Sequence, residues 1–309
     1  MSLAQNDELA PLLPGPLELV LGLGLLLVPL LLLGLLVRRR GARRLGREAR
    51  LVALVRGTGI LLGAALAVSQ LSDGGIVPSP GLWVDAIHAP ILFGLATLLA
   101  AVLGELVVRP RFDAGPRTAD LRPRRVRDFL PPGLTRLVAG LGVCAAALCS
   151  FTWLTASADD MGRDGRALWA ACTAAVSSTR SPYPGSFYVV PYALGVAVAL
   201  AVAAAAAWQV TRRPLGGTPA EADHHRRTSM QAIVGALGVV VSAPMIGLAL
   251  VAGTTLLQHA CPRPGWGAVG CLALAVGALA LVALVASLVA LLTPPAPRPV
   301  VREQETARA

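Results

Sequence analysis

Residues 84–111 read VDAIHAPILFGLATLLAAVLGELVVRPR, and their apolar run at 87–108 is the clearest guide to the architecture. The run exceeds the roughly 18 apolar residues that indicate a transmembrane helix. Asp85 and His88 stand at its start and Glu105 near its end. At about 1.5 Å per residue, His88 and Glu105 lie roughly 25 Å apart along one helix, so they cannot share a proton. The ionisable residues therefore mark the boundaries of a membrane span and do not form a relay through it.

Both boundaries have structural explanations. Asp85 and His88 are spaced i, i+3 and are typical of a helix start at the outer membrane interface. Glu105 precedes Arg109 by four residues, which is the favourable order for a helical ion pair. We expect that pair at the cytoplasmic end of the span.

The composition argues against a water-soluble protein. Hydrophobic residues make up 55% of the 309 residues, charged residues only 14%, and the mean hydropathy is +0.67, whereas soluble domains average about 25% charged residues. All 27 basic residues are arginine, and Ala, Gly, Leu, Val and Pro dominate the rest. This bias indicates a GC-rich genome and favours a bacterial source, so the absence of lysine carries no mechanistic meaning.

The chain contains seven long apolar segments, which predict an all-α membrane protein, a polytopic bundle of about seven transmembrane helices. Arg56 interrupts the second segment, but it lies near a helix end, where its stem can extend to the lipid headgroups. The predicted spans are residues 18–37, 51–71, 87–108, 134–156, 187–210, 233–257 and 267–292.

Arginines alternate between the loops and predict the orientation. They cluster after the first, third, fifth and seventh spans and are sparse in the other loops. Short basic loops stay in the cytoplasm, so we expect the N-terminus outside and the C-terminus inside a bacterial cytoplasmic membrane. Residues 1–17 are then an extracytoplasmic segment, 18–293 the transmembrane domain and 294–309 a disordered cytoplasmic tail. No basic residue precedes the first span, which does not fit a cleaved signal peptide.

Between their interfacial ends the spans carry no ionisable residue other than Arg56. Such groups normally mark ion paths, so their absence argues against proton- or sodium-coupled transport but leaves a carrier of apolar or lipid-like molecules open. Pro244 should kink the sixth span, and Ser242 can satisfy freed backbone groups. Small residues of that span should allow close helix contacts; these are Gly235, Gly238, Gly247 and Gly253.

Two cytoplasmic loops contain further signals. Thr218, Pro219 and Glu221 form a capping-box pattern that predicts a helix start. The sixth span should therefore begin as a cytosolic extension that enters the lipid near Gln231, with its histidine pair at 224–225 solvated among the headgroups. Residues 117–136 mix apolar residues with arginines, which fits either a short interfacial helix on anionic headgroups or a loop that only sets the topology.

Partners follow from the same pattern. We expect the chain to be surrounded by the lipid bilayer, and its arginine-rich cytoplasmic loops to contact anionic headgroups. A protein partner is a further candidate. Nucleic acid is not expected, because no basic face with interleaved aromatic residues occurs.

Aromatic residues concentrate at the outer end of the spans and in the outer loops. A belt at the membrane interface explains them, but the inner interface has few, so a recognition surface is the alternative. Residues 164–178, DGRALWAACTAAVSS, can form a short amphipathic helix in the longest outer loop. The predicted outer aromatic surface consists of Trp83, Trp153, Trp169, Tyr183, Tyr188 and Trp266.

The cysteine positions favour one disulfide. Cys172 and Cys261 fall in outer loops, where disulfides form and persist. The alternatives are free thiols, a bond to Cys271, or Cys261 as a metal ligand.

A metal site at the outer end is a separate candidate, because imidazole, thiolate and thioether groups suit copper or haem iron. Their spacing matches no known motif, and we predict no cofactor. The four candidate ligands are His88, His259, Cys261 and Met161.

The sequence predicts no catalytic residues, since it contains no P-loop, no H-E-x-x-H pattern and no C-x-x-C pair. An accessory or structural membrane component that works through a partner is therefore the favoured function. The alternatives are a permease-like protein for an uncharged or lipid-like substrate and an outer-face metal or redox protein.

Overall fold

The structure is a computed structural model, and it describes residues 47–72, 75–78, 80–81, 84–107, 125–212 and 219–293. The first predicted span, the extracytoplasmic segment before it and the predicted tail lie outside the described residues. Trp83, Arg109 and Thr218 also lie outside them.

Six helices of the described chain are long and apolar enough to cross a membrane. The protein is therefore an all-α, multi-pass membrane protein, as predicted. The helices correspond to the second to seventh predicted spans. Their ends differ from the predicted ones by a few residues, except that the fifth helix begins well before the predicted sixth span. They are α1 (Arg47–Leu71), α2 (Val84–Val107), α3 (Pro132–Thr155), α4 (Ser186–Arg212), α5 (Pro219–Leu257) and α6 (Trp266–Leu292).

The exception is α5, which runs for 39 residues without interruption. It begins at Pro219, so the predicted extension ahead of the membrane is helical, as expected. Helix α5 is the centre of the bundle and packs against α2, α3, α4 and α6, whereas α1 lies at the edge along α2.

Close approach between helices depends on glycines. A methyl group at Gly94 of α2 would overlap Val240 of α5, and one at Gly238 of α5 would overlap Ser287 of α6. Gly235 and Gly253 lie equally close to α6, but the space around Gly247 is open. The predicted role of small residues is therefore right for three of the four glycines and wrong for Gly247, which has no described neighbour within 4 Å of an added methyl group.

Pro244 lies inside α5 and has no N–H to donate to the preceding turn. The buried Tyr192 hydroxyl of α4 donates to the Val241 carbonyl across 2.9 Å, whereas Ser242 donates to Gly238 at 2.6 Å. The carbonyl without its helical partner is that of Val240, four residues before the proline. The Ser242 hydroxyl bonds a different carbonyl, so its predicted role is not fulfilled. Tyr192 bonds the adjacent Val241 carbonyl. A side chain from the next helix reaches this carbonyl because α4 and α5 pack closely.

The longest outer loop contains a β-hairpin, so the expected amphipathic helix is wrong. Strands β1 (Leu168–Ala171) and β2 (Ser177–Arg180) pair antiparallel, with Trp169 opposite Thr179. Burial alternates along β1, with Leu168 and Ala170 inside and Trp169 and Ala171 outside. That period of two matches a strand with one buried face. The buried face packs against other residues of the same connections and against the ends of two helices.

Candidate functional site at the outer face

We call the end of the bundle that contains Thr155, Ser186 and Leu257 the outer end, following the orientation predicted from the arginines. The outer cap is residues 156–185 together with 258–265. It has a small apolar core of its own, distinct from the core of the bundle. That core consists of Leu168, Ala170, Tyr183, Leu256, Cys261 and Trp266.

A disulfide joins the two parts of the cap. Cys172, at the end of β1, is bonded to Cys261 between α5 and α6, and their Cα atoms are 4.9 Å apart, within the usual range for disulfides. Cys271, the competing partner considered from the sequence, is a free, exposed cysteine of α6. The structure thus places in contact the two cysteines whose pairing the sequence favours.

Hydrogen bonds strengthen the same junction. The Arg180 guanidinium of β2 donates to the Gln258 backbone carbonyl and, across 2.6 Å, to the Gln258 side-chain oxygen. Such charge-assisted bonds are stronger than neutral ones. Thr155 at the end of α3 shares a 2.8 Å hydrogen bond with the Tyr183 hydroxyl. The hairpin is therefore attached to α3 and to the α5–α6 connection at once.

His259 is a buried structural residue of this junction. Its Nδ1 accepts a hydrogen bond from the Cys261 N–H, and its Nε2 lies 3.1 Å from the Leu168 carbonyl. The proton consequently belongs on Nε2, which donates to that carbonyl. The ring also meets the edge of Trp266, with centroids 5.1 Å apart. Both nitrogens have protein partners, so a metal bound here would have to break one of these bonds.

The other candidate metal ligands have separate surroundings. Cys261 is oxidised in the disulfide, and the Met161 sulfur lies 3.2 Å from an Arg163 guanidinium nitrogen in an exposed loop. His88 lies in the second turn of α2. Among the residues that the structure describes, no group of three or more His, Cys, Asp or Glu side chains is arranged to hold a metal ion.

Only some of the residues of the predicted outer aromatic surface are exposed. Trp153 and Trp169 are exposed at 47% and 46%, whereas Tyr183, Tyr188 and Trp266 are buried. The surface prediction is wrong for these three, because Tyr183 and Trp266 belong to the core of the cap and Tyr188 belongs to the core of the bundle. Burial also raises the pKa of Tyr183 to about 12, against the opposing effect of its Thr155 hydrogen bond.

Within the part of the chain that the structure describes, the outward side of the hairpin is exposed. Val176 at the turn is 55% exposed. We call the outward side of the two strands the hairpin face; it consists of Trp169, Ala171, Ser177 and Thr179, which are all exposed.

Asp159 organises the loop before the hairpin. Its carboxylate accepts the backbone N–H groups of Met161 and Arg163 at 3.0 and 2.8 Å, and the Arg163 Nε at 3.0 Å. The backbone hydrogen bond from Arg163 is the main reason that the pKa of Asp159 lies below its usual value. The carboxylate thus stabilises the loop conformation.

A second outer connection involves Asp85, one of the residues that marked the helix boundary. The buried Gln70 of α1 donates to Asp85 at 2.7 Å and to the Val77 carbonyl at 2.9 Å, and accepts the Val77 N–H at 2.8 Å. Gln70 therefore fixes the α1–α2 connection on the end of α2. Sequence reasoning missed it, because a single amide near a helix end gives no signal of its own.

At the opposite, inner end two arginines are buried. The Arg56 guanidinium of α1 donates to the Ser229 hydroxyl of α5, so the expectation that Arg56 extends to the headgroups is wrong. Arg226 is only 1% exposed, pairs with Asp223 at 3.1 Å and lies over the Phe129 ring, 5.7 Å from its centroid. The α5 extension packs against the bundle along this side and is not solvated all round, which is why these residues are buried.

Other inner-end residues have structural roles. Gln231 donates to the Ala290 and Thr293 carbonyls at 2.9 and 2.7 Å, which satisfies acceptors that a helix leaves open at its C-terminus. Glu221 of the predicted capping box is exposed in the first turn of α5; its partner Thr218 lies outside the described residues. Residues 126–128 form a single 3-10 turn. The part of the predicted interfacial helix before residue 125 lies outside the described residues.

The fold and these contacts define the class: the chain is a multi-pass helical membrane protein. Comparison with models of known families, with curated proteins and with solved structures finds no match. Any more specific function therefore depends on the chain's own residues.

Proposed function

We propose that the protein is an accessory component of a bacterial cytoplasmic membrane, oriented with its N-terminus outside, whose outer cap binds a partner protein. The observation that carries the proposal is the contrast between the two sides of the hairpin. One side is fixed to the bundle by a disulfide and charge-assisted hydrogen bonds, and the other exposes Trp169.

Fixing the hairpin lowers the cost of binding. A surface that is already held in one conformation loses little freedom when a partner binds it, so more of the contact energy appears as affinity. The attachments at Cys172, Arg180 and Tyr183 hold the hairpin at three separate points. A cap that served only to close the bundle would need the buried side alone.

The chemistry of the hairpin face suits a protein. Exposed tryptophan is enriched among the residues that dominate protein–protein binding energy. Trp169 lies opposite Thr179, and the next pair on the same face is Ala171 and Ser177. These neighbours are small, and Trp169 is exposed. Charged residues of the neighbouring loop, such as Asp160 and Asp164, are exposed beside it in sequence and can form the polar rim that interfaces have.

The packing of the bundle supports a role without transport. The buried hydroxyls of Thr97, Thr152 and Ser242 each donate to a carbonyl of their own helix, so these bonds do not require a polar ligand in the bundle. Around Pro244 the side chains of Val240 and Met245 are buried at 0% exposure, so the helix is packed against its neighbours at the proline. A permease for a lipid-like substrate would need that region to open.

The test is purification of the full-length chain from its native membrane in a mild detergent. We expect one partner protein at fixed stoichiometry. Trp169→Glu should reduce the recovered partner by about tenfold or more, the loss typical of a dominant interface residue. The matched control is Met161→Glu, because Met161 is 72% exposed on the same cap but outside the hairpin face.

The outcomes separate the functions. Loss of the partner in Trp169→Glu and its retention in Met161→Glu, with the Cys172–Cys261 bond intact in both, supports the proposal. A wild-type chain that purifies alone, or a partner that survives Trp169→Glu, overturns it. A retained lipid in place of a protein would favour the permease, and a bound metal with a visible spectrum would favour the redox protein.

A further inference from the structure

Helix α1 has the fewest helical neighbours in the described part of the bundle. It packs extensively against α2 alone, whereas each of the other five helices of the described chain has at least two helical neighbours. Its contact with α5 through Arg56 is confined to the inner end. One whole side of α1 therefore faces away from the described protein.

The uncovered side has a regular composition. Leu54, Leu61 and Val68 are exposed and recur every seven residues, and Thr58 and Ala65 lie between them. A repeat of large residues separated by small or hydroxyl-bearing ones leaves grooves that a second helix can fill. Helix α1 also has the lowest mean hydropathy of the six spans, so it is the one least suited to face lipid on a whole side.

The chain itself supplies a helix at this place. Residues 18–37 form an apolar run long enough to span the membrane, and only residues 38–46 separate it from the first residue of α1. Consecutive elements joined by a short connection are usually neighbours and antiparallel in helical bundles. Helix α2 is already covered by α4 and α5, so the uncovered surface next to this connection is the outward side of α1.

We propose that residues 18–37 pack antiparallel against the outward side of α1, with Leu54, Leu61 and Val68 as the contact row. The segment completes the bundle by giving α1 its second neighbour. This inference is independent of the proposed partner at the outer cap, because it concerns the opposite edge of the molecule and the membrane interior.

Cysteine crosslinking in the full-length protein tests the contact. In a background with Cys144→Ala, Cys149→Ala and Cys271→Ala, the native Cys172–Cys261 bond is kept as a check on folding. Leu61→Cys is then combined with one cysteine at each position from 23 to 29, which covers all faces of the segment. After mild oxidation, trypsin cuts the arginine-rich connection, and a crosslink keeps the tagged N-terminal fragment attached until reductant is added.

The matched control is Val282→Cys on α6, since Val282 is 59% exposed and Leu61 is 58% exposed. We expect crosslinks to Leu61→Cys at positions three or four apart and none to Val282→Cys. No crosslink to either, or equal crosslinking to both, means that lipid covers α1 and overturns the proposal. Crosslinks that form between two differently tagged copies also overturn it, because the contact would then be made by a second molecule.

Discussion

The two ends of the bundle are held together by different chemistry. At the outer end a disulfide and the bonds of Arg180, Tyr183 and His259 join segments far apart in the sequence. At the inner end the buried guanidinium of Arg56 joins α1 to α5. The disulfide holds the hairpin covalently to the connection between α5 and α6. The link between α1 and α5 is a hydrogen bond from Arg56 to Ser229, which is not covalent.

This difference implies different sensitivities. The outer cap should respond to reductant and to high pH, because a disulfide and a buried phenol are its distinctive groups. The inner end should respond to removal of hydroxyl partners of arginine, whose charge does not change with pH. The predictions below test the two ends, beginning with the largest expected effect.

The largest expected effect is the response of topology reporters, because activity depends on the side of the membrane. A reporter that works only outside the cytoplasm should be active when fused after Ala158, in the cap. A reporter that works only in the cytoplasm should be active after Ala309. An inactive reporter at Ala309 would contradict the predicted position of the C-terminus in the cytoplasm.

Loss of the disulfide comes next. Cys172→Ser should destabilise the cap, and the chain-entropy model sets an upper figure of about 4–5 kcal/mol for a closed loop of this length. The two cysteines are 89 residues apart, but the membrane helices between them already restrict the chain, so the actual loss should be smaller. Proteolysis of the 156–185 loop should accelerate, whereas cleavage near Arg227 at the inner end should not.

The control for that comparison is Cys271→Ser, which removes a free cysteine and should leave both rates unchanged. Non-reducing peptide mapping of the wild type establishes the bond itself. Alkylation of both Cys172 and Cys261 without reductant, in protein from an oxidising compartment, would contradict the prediction.

High pH should weaken the outer end through Tyr183. Its phenol has a usual pKa of 10.0, and burial raises the pKa to about 12 in the folded cap. The unfolded chain therefore releases this proton first, so the stability that Tyr183 contributes is complete below pH 10 and is lost as the pH rises from 10 to 12. The loss should reach about 2–3 kcal/mol.

Protease sensitivity of the cap, measured between pH 9 and pH 12, shows this step. In Tyr183→Phe the step should shrink to what the remaining tyrosines contribute, although the variant also loses the Thr155 hydrogen bond. An identical pH profile in wild type and Tyr183→Phe would mean that another group causes the loss.

The same contrast shows how far sequence reasoning reaches. Helix positions follow from long apolar runs, because only a helix satisfies its own backbone in lipid. The pairing of Cys172 with Cys261 follows from their loops. The hairpin was missed because residues 164–178 are rich in alanine, which favours a helix locally, whereas the strand pairing and the buried partners of Leu168 are non-local.

Burial of charged and amide side chains was also beyond the sequence. Arg56 was predicted to reach the lipid headgroups because it is close to a helix end. Nothing in the sequence indicated that Gln70 is buried. Both are buried because a particular neighbour, Ser229 or Asp85, reaches them across a helix contact. Such pairs depend on the rotation of packed helices, which an apolar pattern does not specify.

The smallest effect belongs to the inner end. Ser229 accepts a hydrogen bond from Arg56 and donates to the His225 carbonyl at 3.1 Å. Ser229→Ala should cost about 1 kcal/mol, because hydrogen bonds between membrane helices average about 0.6 kcal/mol and Arg56 has further contacts. Thr228→Ala is the matched control, since Thr228 donates to the His224 carbonyl in the same way, at 2.9 Å.

A double-mutant cycle isolates the Arg56–Ser229 contact. Thermal unfolding in detergent is measured for Ser229→Ala, for Arg56→Met and for the double variant. We expect the losses of stability to be non-additive, as they are for residues in contact. Strictly additive losses would show that Arg56 and Ser229 stabilise the inner end separately.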